Sequence, residues 1–179
     1  MYRINEKTHR VVIDIALDRY LDYFHEWDNA SFKKRDLNPE LASFLDLCSE
    51  EIPLRRKLEL NFCIKDRADD PMEEQMVLAS YRNYYQSQFQ MVRRSLNRIF
   101  RSAFVMFLTA IALIALYTFL KDGKGPGILS GILVEGVLIG AWVFMWETFH
   151  MVFFNSLEPL LRMKELKRFL DAELVFRAE

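Results

Sequence analysis

The chain has 179 residues, and its 24 Lys and Arg side chains nearly balance 25 Asp and Glu side chains, giving a formal net charge of −1. This charge provides no bulk attraction to nucleic acid, so we expect no nucleic-acid partner. Cys48 and Cys63 have neither disulfide-framework nor metal-ligand spacing. We expect two reduced thiols that pack as small apolar groups.

Motifs of catalysis and cofactor binding are not found in the sequence. There is no P-loop, dinucleotide fingerprint or nucleophile elbow, and His9, His25 and His150 lack metal-ligand spacing. The first ten residues, MYRINEKTHR, hold no apolar core of the signal-peptide kind. We expect no catalytic residue, no metal and no cofactor, and an N-terminal part that stays where it is made.

Residues 1–66 have the pattern of a small α/β domain. Val11–Leu17 is short and β-branched, which predicts a strand. Residues 18–27 predict a short helix or an ordered loop, with Tyr20, Leu21, Phe24 and Trp27 on one face. Leu58–Ile64 alternates apolar and polar residues, which predicts a half-buried second strand. So thin a core is marginal alone, which favours self-association through this domain.

The sequence Asn38-Pro39 predicts the start of a helix between the two strands. Asn would serve as N-cap, Pro would occupy the first helical position, and Glu40 would lie in the first turn. The helix is expected to end near Glu50, before Ile52-Pro53. Its apolar residues are Leu41, Phe44, Leu45 and Leu47.

A polar hinge at 66–71 precedes a long helix, expected over 72–102. Its apolar stripe has the spacing of a coiled coil: Tyr85, Phe89, Val92, Leu96, Ile99 and Ala103. Either this helix packs on its own soluble domain, or the stripe is covered by another copy or by a C-terminal helix. The C-terminal segment 155–179 predicts that second helix, with Met163, Leu166, Leu170 and Leu174 on one face.

Two apolar runs, 103–120 and 128–154, are each long enough to cross a bilayer as a helix. The segment between them, 121–127, reads KDGKGPG and suits a tight turn. We therefore expect an α-helical membrane hairpin with two transmembrane helices, a small cytosolic α/β domain and a long membrane-proximal helix.

Basic residues lie at both flanks of the hairpin, and basic residues near span ends are retained in the cytoplasm. Arg93, Arg94, Arg98 and Arg101 precede the first run, and Arg162, Lys164, Lys167 and Arg168 follow the second. The prediction is a multi-pass protein of the cell inner (plasma) membrane with both termini cytoplasmic and the turn outside. The first arginine cluster is expected to contact anionic lipid head groups.

The second run contains small and aromatic residues at helical spacing. Gly136 and Gly140 form a GxxxG pair, as do Gly127 and Gly131, and small residues four apart let helix backbones approach closely in lipid. That packing is equally compatible with the first run of the same chain and with another chain. Trp142 and Trp146, one turn apart, are typical of interface anchors.

Two carboxylates also lie in the second run. Glu135 shares a helical face with Trp142 and Trp146, and an acid within hydrocarbon usually faces a partner, a bundle interior or water. Glu147 and His150 are three residues apart and are neighbours on a helix. These side chains predict either a cation-attracting ring around an oligomer axis or two solvated interfacial acids.

The segment Glu135-Gly136-x-x-Ile139-Gly140-x-Trp142-Val143-x-x-Trp146-Glu147 resembles one in a family of uncharacterised prokaryotic two-transmembrane-helix proteins with an N-terminal cytosolic α/β domain. The stretch Arg35-Asp36-Leu37-Asn38-Pro39 and the strand after Ile52-Pro53 resemble the same family. The resemblance implies the fold and the membrane location and no activity.

The layout is also similar to that of the mitochondrial calcium uniporter pore subunit and its bacterial relatives. Their selectivity motif is Trp-Asp-x-x-Glu-Pro, whereas the segment Trp142–Thr148 here lacks the Asp and the Pro. Layout alone does not establish function.

The sequence favours a homo-oligomeric cation channel or pore with an intramembrane glutamate ring. The alternative is a non-conducting anchor or scaffold that displays the α/β domain to an unknown cytosolic protein. An enzyme is not expected, because Glu147 with His150 is the only converging polar pair at one depth. The expected partners are further copies of the chain, membrane lipids and cations.

Overall fold

The computed structural model describes residues 2–18, 20–24, 37–65, 71–123 and 128–178. Several predicted features lie outside the described residues: Trp27, most of the hinge 66–71, Gly127 with the rest of the turn after Gly123, and Arg35-Asp36 of the family-like segment. His25 also lies outside them.

The chain divides into two compact units. The first, here called the α/β unit, combines Met1–Met91 with Arg162–Glu179. The second, here called the helical unit, is Val92–Leu161. The α/β unit therefore extends beyond the predicted 1–66 and includes chain from both sides of the helical unit.

A four-stranded sheet organises the α/β unit. Its strands are β1 (Arg3–Ile4), β2 (Val11–Leu17), β3 (Leu58–Ile64) and β4 (Glu173–Ala178), in the order β1-β2-β3-β4. β1 is antiparallel to β2, and β2, β3 and β4 are parallel to one another. Helix α1 (Pro39–Glu51) connects β2 to β3, as a parallel pair requires a crossover.

Helix α1 begins where the sequence predicts. The Asn38 side chain accepts a hydrogen bond from the Glu40 backbone N–H, with an oxygen–nitrogen distance of 2.9 Å, and Pro39 occupies the first turn. Two of its four apolar residues named from the sequence are exposed, Phe44 at 44% and Leu47 at 64%. The residues that α1 buries are Leu41, Ala42, Leu45, Cys48 and Ser49.

The predicted C-terminal helix was wrong beyond Leu170. Helix α4 runs Leu157–Leu170, and Leu174 lies in β4 instead. The physical reason is the open edge of β3: Phe62 pairs with Phe176 across the two strands, and their rings stack 5.4 Å apart. The ladder satisfies the backbone groups that a longer helix would have satisfied internally.

Strand β3 is more deeply buried than its alternation predicts. Its apolar face joins that of β2 in register, with Ile13 opposite Leu60 and Ile15 opposite Phe62. Its polar residues are buried too, Glu59 at 2% and Asn61 at 3% exposure. Glu59 accepts a hydrogen bond from the Asn5 side chain at 2.7 Å, and Asn61 donates to Asp14 at 2.6 Å.

Aromatic side chains complete the core of the α/β unit. Tyr20–Tyr23 forms a 3₁₀ turn, and the Tyr23 ring lies edge-on to Phe62 with centroids 6.0 Å apart. Helix α2 (Pro71–Asp122) contributes Val77, Tyr81 and Tyr85, each 1% exposed. The Tyr85 ring stacks on Phe169 of α4 at 4.7 Å, so α4 covers the start of the predicted stripe.

The helical unit contains the later part of α2, helix α3 (Ile128–His150), a π-helical turn at Met151–Asn155 and the start of α4. Both long helical stretches, Met72–Asp122 and Ile128–Leu170, contain segments apolar and long enough to cross a membrane. The first stripe residues in this unit are buried at Leu96 and Ala103 and half-buried at Val92 and Ile99. A coiled coil between chains is not needed to cover them.

Candidate functional site

The candidate site is the face of α3 that carries Glu135, because α3 leaves most of its surface uncovered. Of its residues only Val134 and Ala141 are buried. Apolar residues next to Glu135 are exposed, Ile132 at 63%, Leu133 at 72% and Ile139 at 64%. In water such a surface would be unfavourable, so lipid or another protein surface is its natural environment.

Within the helical unit, α2 and α3 pack through small residues. Ala103 and Ala110 are buried on α2, and Val134 and Ala141 on α3, each pair seven residues apart. This spacing keeps one seam between two helices in contact. A Cβ built on Gly140 would lie 3.9 Å from the Leu113 Cδ1 atom, so Gly140 belongs to this seam.

The other two glycines of α3 are different. A Cβ on Gly131 or on Gly136 would meet no atom of the described chain within 4 Å. The sequence left open whether the glycines pack within one chain or between chains. The structure assigns Gly140 to packing within the chain and leaves open space at Gly131 and Gly136.

Glu135 lies on the exposed part of α3. Among the described residues, its carboxylate forms no hydrogen bond and no ion pair. Trp142 and Trp146, seven and eleven positions further along, are 68% and 69% exposed. The predicted face is therefore formed, with a carboxylate towards one end and two indoles towards the other.

Trp142 also borders an apolar cleft of about 240 Å³ on the helical unit. Ile114 of α2 and Leu138, Ala141 and Met145 of α3 form the rest of its lining. The cleft exposes almost no polar surface, which suits a hydrocarbon chain or an apolar side chain.

Glu147 and His150 are not joined in the structure. Glu147 is half-buried, and the exposed His150 ring stacks on Phe154 with centroids 5.5 Å apart. Over the described chain neither side chain has a hydrogen-bond or ion-pair partner. The π-helical turn begins directly after His150, and such turns are frequent at functional sites. A catalytic Glu–His pair is not formed here.

The two threonine hydroxyls of the first apolar run donate hydrogen bonds to their own helix. The hydroxyl of Thr109 donates to the Val105 carbonyl at 3.0 Å, and that of Thr118 donates to the Ala115 carbonyl at 2.7 Å. Lys121 lies over the Tyr117 ring, with its Nζ atom 5.7 Å from the centroid. This run therefore offers few free polar groups to a permeating ion.

The arginine cluster lies on the exposed surface of α2. Arg93, Arg94, Arg98 and Arg101 are all exposed, and none has a carboxylate within ion-pair distance in the described parts of the chain. Their charges are therefore available to external anions, as the predicted contact with lipid head groups requires.

Sequence reasoning missed the residues that fasten α4 to α1. Arg168 is 7% exposed, and its guanidinium donates to the carbonyls of Ser49, Ile52 and Pro53 at 2.8, 2.9 and 3.1 Å and also to the Ser49 hydroxyl. Burial lowers the pKa of Arg168. The Ser49 carbonyl also accepts from the Ile52 N–H, and the Pro53 carbonyl from the Arg56 N–H. Arg168 therefore adds a buried, positively charged donor at the C-terminal end of α1 and in the turn that follows it.

Arg162 makes the second connection between α4 and α1. Its guanidinium lies 2.7 Å from the Asp46 carboxylate and 3.1 Å from that of Glu165. The hydrogen bond from Arg162 to Asp46 raises the pKa of the guanidinium. Nothing local in the sequence predicts the contacts of either arginine with α1, because Asp46 and Ser49 lie more than a hundred residues away.

In the described ranges no three His, Cys, Asp or Glu side chains are grouped to hold a metal ion. The resemblance to the two-span family and the layout shared with the uniporter stay predictions. Comparison of the chain with protein-family models, with curated proteins and with solved structures found no match.

Proposed function

We propose that this chain is a homo-oligomeric two-span protein of the inner (plasma) membrane and that it conducts cations along an axis lined by α3. Two helices of sufficient length and apolar character support the spans. Both flanks of the helical unit belong to one folded α/β unit, which favours a hairpin that returns to its starting side. The basic flanks favour the cytoplasm for that side, with both termini there and 121–127 outside.

The exposed Glu135 is the observation that carries the proposal. A carboxylate near the centre of a lipid-facing helix costs about 2.5–3.5 kcal/mol. Glu135 has no partner within the described chain, and its neighbours Ile132 and Ile139 are exposed and apolar. Several copies that turn this face to a common axis would give the carboxylates water and would concentrate cations there.

The open glycine next to Glu135 supports contact between copies. Gly136 has no neighbour within 4 Å of a built Cβ, whereas the seam within the chain uses Gly140 and Ala141. A small exposed residue allows another helix to approach closely in lipid. The first run, whose Thr109 and Thr118 hydroxyls are bonded to their own helix, then suits the outer, lipid-facing ring.

The test combines subunit number with cation flux for the full chain. Native mass spectrometry of the lipid-embedded protein should give a closed ring with an open axis. In liposomes, Glu135→Gln should reduce cation-over-anion selectivity, because it removes the ring charge and keeps the shape. Glu147→Gln is the matched control, a carboxylate on the same helix that is expected to leave selectivity unchanged. A monomer, a packed dimer, or unaltered cation-over-anion selectivity in Glu135→Gln would contradict the proposal.

A second function, a non-conducting anchor or scaffold, is favoured by a different observation. Phe44 and Leu47 are three positions apart on α1 and are both exposed, which gives the α/β unit a small apolar surface. A cytosolic protein would dock there. Absent flux, together with a partner bound by the full chain and released by Phe44→Ser with Leu47→Ser, would establish this function in place of the channel.

A further inference from the structure

A cleft of about 200 Å³ lies between the turn that follows α1 and the exposed side of α4. Arg55, Arg56 and Lys57 line it from the turn, and Lys164 and Lys167 line it from α4. Both walls belong to the α/β unit. The volume is several times the roughly 30 Å³ occupied by one water molecule, so the cleft has room for a polyatomic ion.

The cations of this cleft are not neutralised by the protein. The five residues on its walls are exposed, and within the described segments none lies in ion-pair distance of a carboxylate. Asp171 is the single acidic residue among the described residues that line the cleft, and it forms no ion pair. Like charges held this close repel one another, and a bound anion would relieve the repulsion.

A buried charge adds to the field in the cleft. Arg168 also lines it, is 7% exposed, and has its hydrogen bonds to carbonyl groups and one hydroxyl, all of them neutral. Its Nε atom is buried and has no hydrogen-bond partner in the described chain. A guanidinium stays protonated in proteins, so this charge persists beside the cleft.

The second basic cleft of the α/β unit provides a contrast. It measures about 450 Å³ and contains Arg3, Lys7 and Arg177 together with Glu6 and Glu59. Arg3 is already paired with Asp14 at 2.9 Å. Positive charge there is balanced, whereas positive charge beside α4 is not.

We infer that the cleft between residues 54–57 and α4 binds a phosphate-bearing anion. Guanidinium and ammonium groups from two walls would donate charge-assisted hydrogen bonds to the phosphate oxygens. The same chemistry is offered by the head group of an anionic phospholipid and by a soluble polyphosphate. This inference does not depend on conduction by the helical unit.

The experiment uses the full chain with two probes. Pyrophosphate is titrated by calorimetry into protein in neutral detergent without added lipid. Retention of phosphatidylglycerol, against phosphatidylcholine, is measured by native mass spectrometry. Lys164→Gln with Lys167→Gln removes two positive charges from the α4 side of the cleft. Arg55→Gln with Arg56→Gln removes two from the side formed by the turn. Lys7→Gln with Arg177→Gln is the control, since it removes equal charge from the balanced cleft.

Each wall variant should weaken binding of at least one probe by roughly tenfold or more, and the control should bind as the unmodified protein does. Loss of pyrophosphate binding identifies a soluble phosphate compound, and loss confined to phosphatidylglycerol identifies a lipid head group. The inference is overturned if the unmodified protein binds neither probe, if the wall variants bind as well as it does, or if the control is weakened equally. The exposed positions of all substituted residues leave the fold intact, which circular dichroism verifies.

Discussion

The Tyr81 hydroxyl donates a hydrogen bond of 2.9 Å to the backbone carbonyl of Phe169, 88 residues further along the chain. The bond is buried and joins α2 to the last turn of α4, where the Tyr85 ring also stacks on Phe169. The two helices that enter and leave the apolar hairpin are thus fastened together inside the α/β unit.

Removal of the hydroxyl group should have different effects on the stability of the α/β unit at Tyr81 and at Tyr85. Tyr81→Phe should lower the stability of the α/β unit by about 0.5–1.5 kcal/mol, because it removes a buried hydrogen bond and leaves the Phe169 carbonyl with the Ala172 N–H alone. Tyr85→Phe should be neutral or stabilising, because the Tyr85 hydroxyl is buried and has no hydrogen-bond partner in the described chain. Hydrogen exchange of the β3 and β4 amides measures both effects, and equal destabilisation by the two changes would contradict the assignment.

Alkaline pH should unfold the α/β unit. Burial raises the pKa of Tyr23, Tyr81 and Tyr85. Their protons are held more tightly in the folded state, so their contribution to stability is complete below the unfolded pKa of about 10 and is lost as pH rises above it. The limiting loss is about 1.4 kcal/mol per pH unit for each tyrosine.

Tyrosinate absorbance and far-ultraviolet circular dichroism, recorded together during an alkaline titration, test this expectation. Tyr23, Tyr81 and Tyr85 should ionise late and together with the loss of structure. Ionisation of these three side chains near pH 10, with the fold intact, would refute it.

Removal of the Arg168 side chain should lower the stability of the α/β unit. Arg168→Ala removes the buried guanidinium that donates to the carbonyls of Ser49, Ile52 and Pro53, and we expect a loss of about 2–4 kcal/mol. Lys167→Ala, at the neighbouring exposed position, should change stability by no more than about 0.5 kcal/mol. Urea unfolding of the α/β unit followed by circular dichroism compares them, and similar midpoints would show that Arg168 does not stabilise the C-terminal end of α1.

Substitution of two glycines of α3 should distinguish packing within the chain from packing between chains. Gly140→Leu places a large side chain against Leu113 and should destabilise the helical unit by about 1–3 kcal/mol. Gly136→Leu meets open space within the chain and should leave a single copy unaffected, while it disrupts the proposed contact between copies. Thermal unfolding in detergent and subunit number by native mass spectrometry give the two readouts. Loss of subunits in Gly140→Leu alone would place the inter-chain contact elsewhere.

The elements that could be predicted from the sequence are those whose positions depend on residues close together in the chain. The Asn38 cap and Pro39 mark the start of α1, and the β-branched run and the alternating run give the bounds of β2 and β3. Two long apolar runs marked the helices that are long enough to cross a membrane. In each case the deciding interaction lies within a few residues along the chain.

Strand β4 shows why other parts could not be predicted. Leu166, Leu170 and Leu174 continue the helical spacing of four, and no Gly or Pro marks a stop after Leu170. The helix ends there because residues 173–178 pair with β3, more than a hundred residues earlier. Tertiary pairing overrides helical periodicity when an open parallel edge is present.

The candidate site was predictable in part. The shared face of Glu135, Trp142 and Trp146 follows from helical spacing and is present. Which glycine contacts α2 was not predictable, because it depends on how the two helices turn towards each other. The buried state of Asn61 and Glu59 was likewise hidden, since their partners Asp14 and Asn5 lie far away in the sequence.

The parallel pairing of β3 with β4 places the entire apolar hairpin inside one crossover connection of the sheet. During synthesis, β4 leaves the ribosome only after both apolar segments have emerged. Until β4 has been synthesised, the edge of β3 that pairs with it stays unpaired in the nascent α/β unit. If the hairpin inserts into a membrane as proposed, completion of the sheet requires the second apolar segment to return to the side of the α/β unit. A chain in which that return fails would keep an open strand edge, which is prone to pair with other chains.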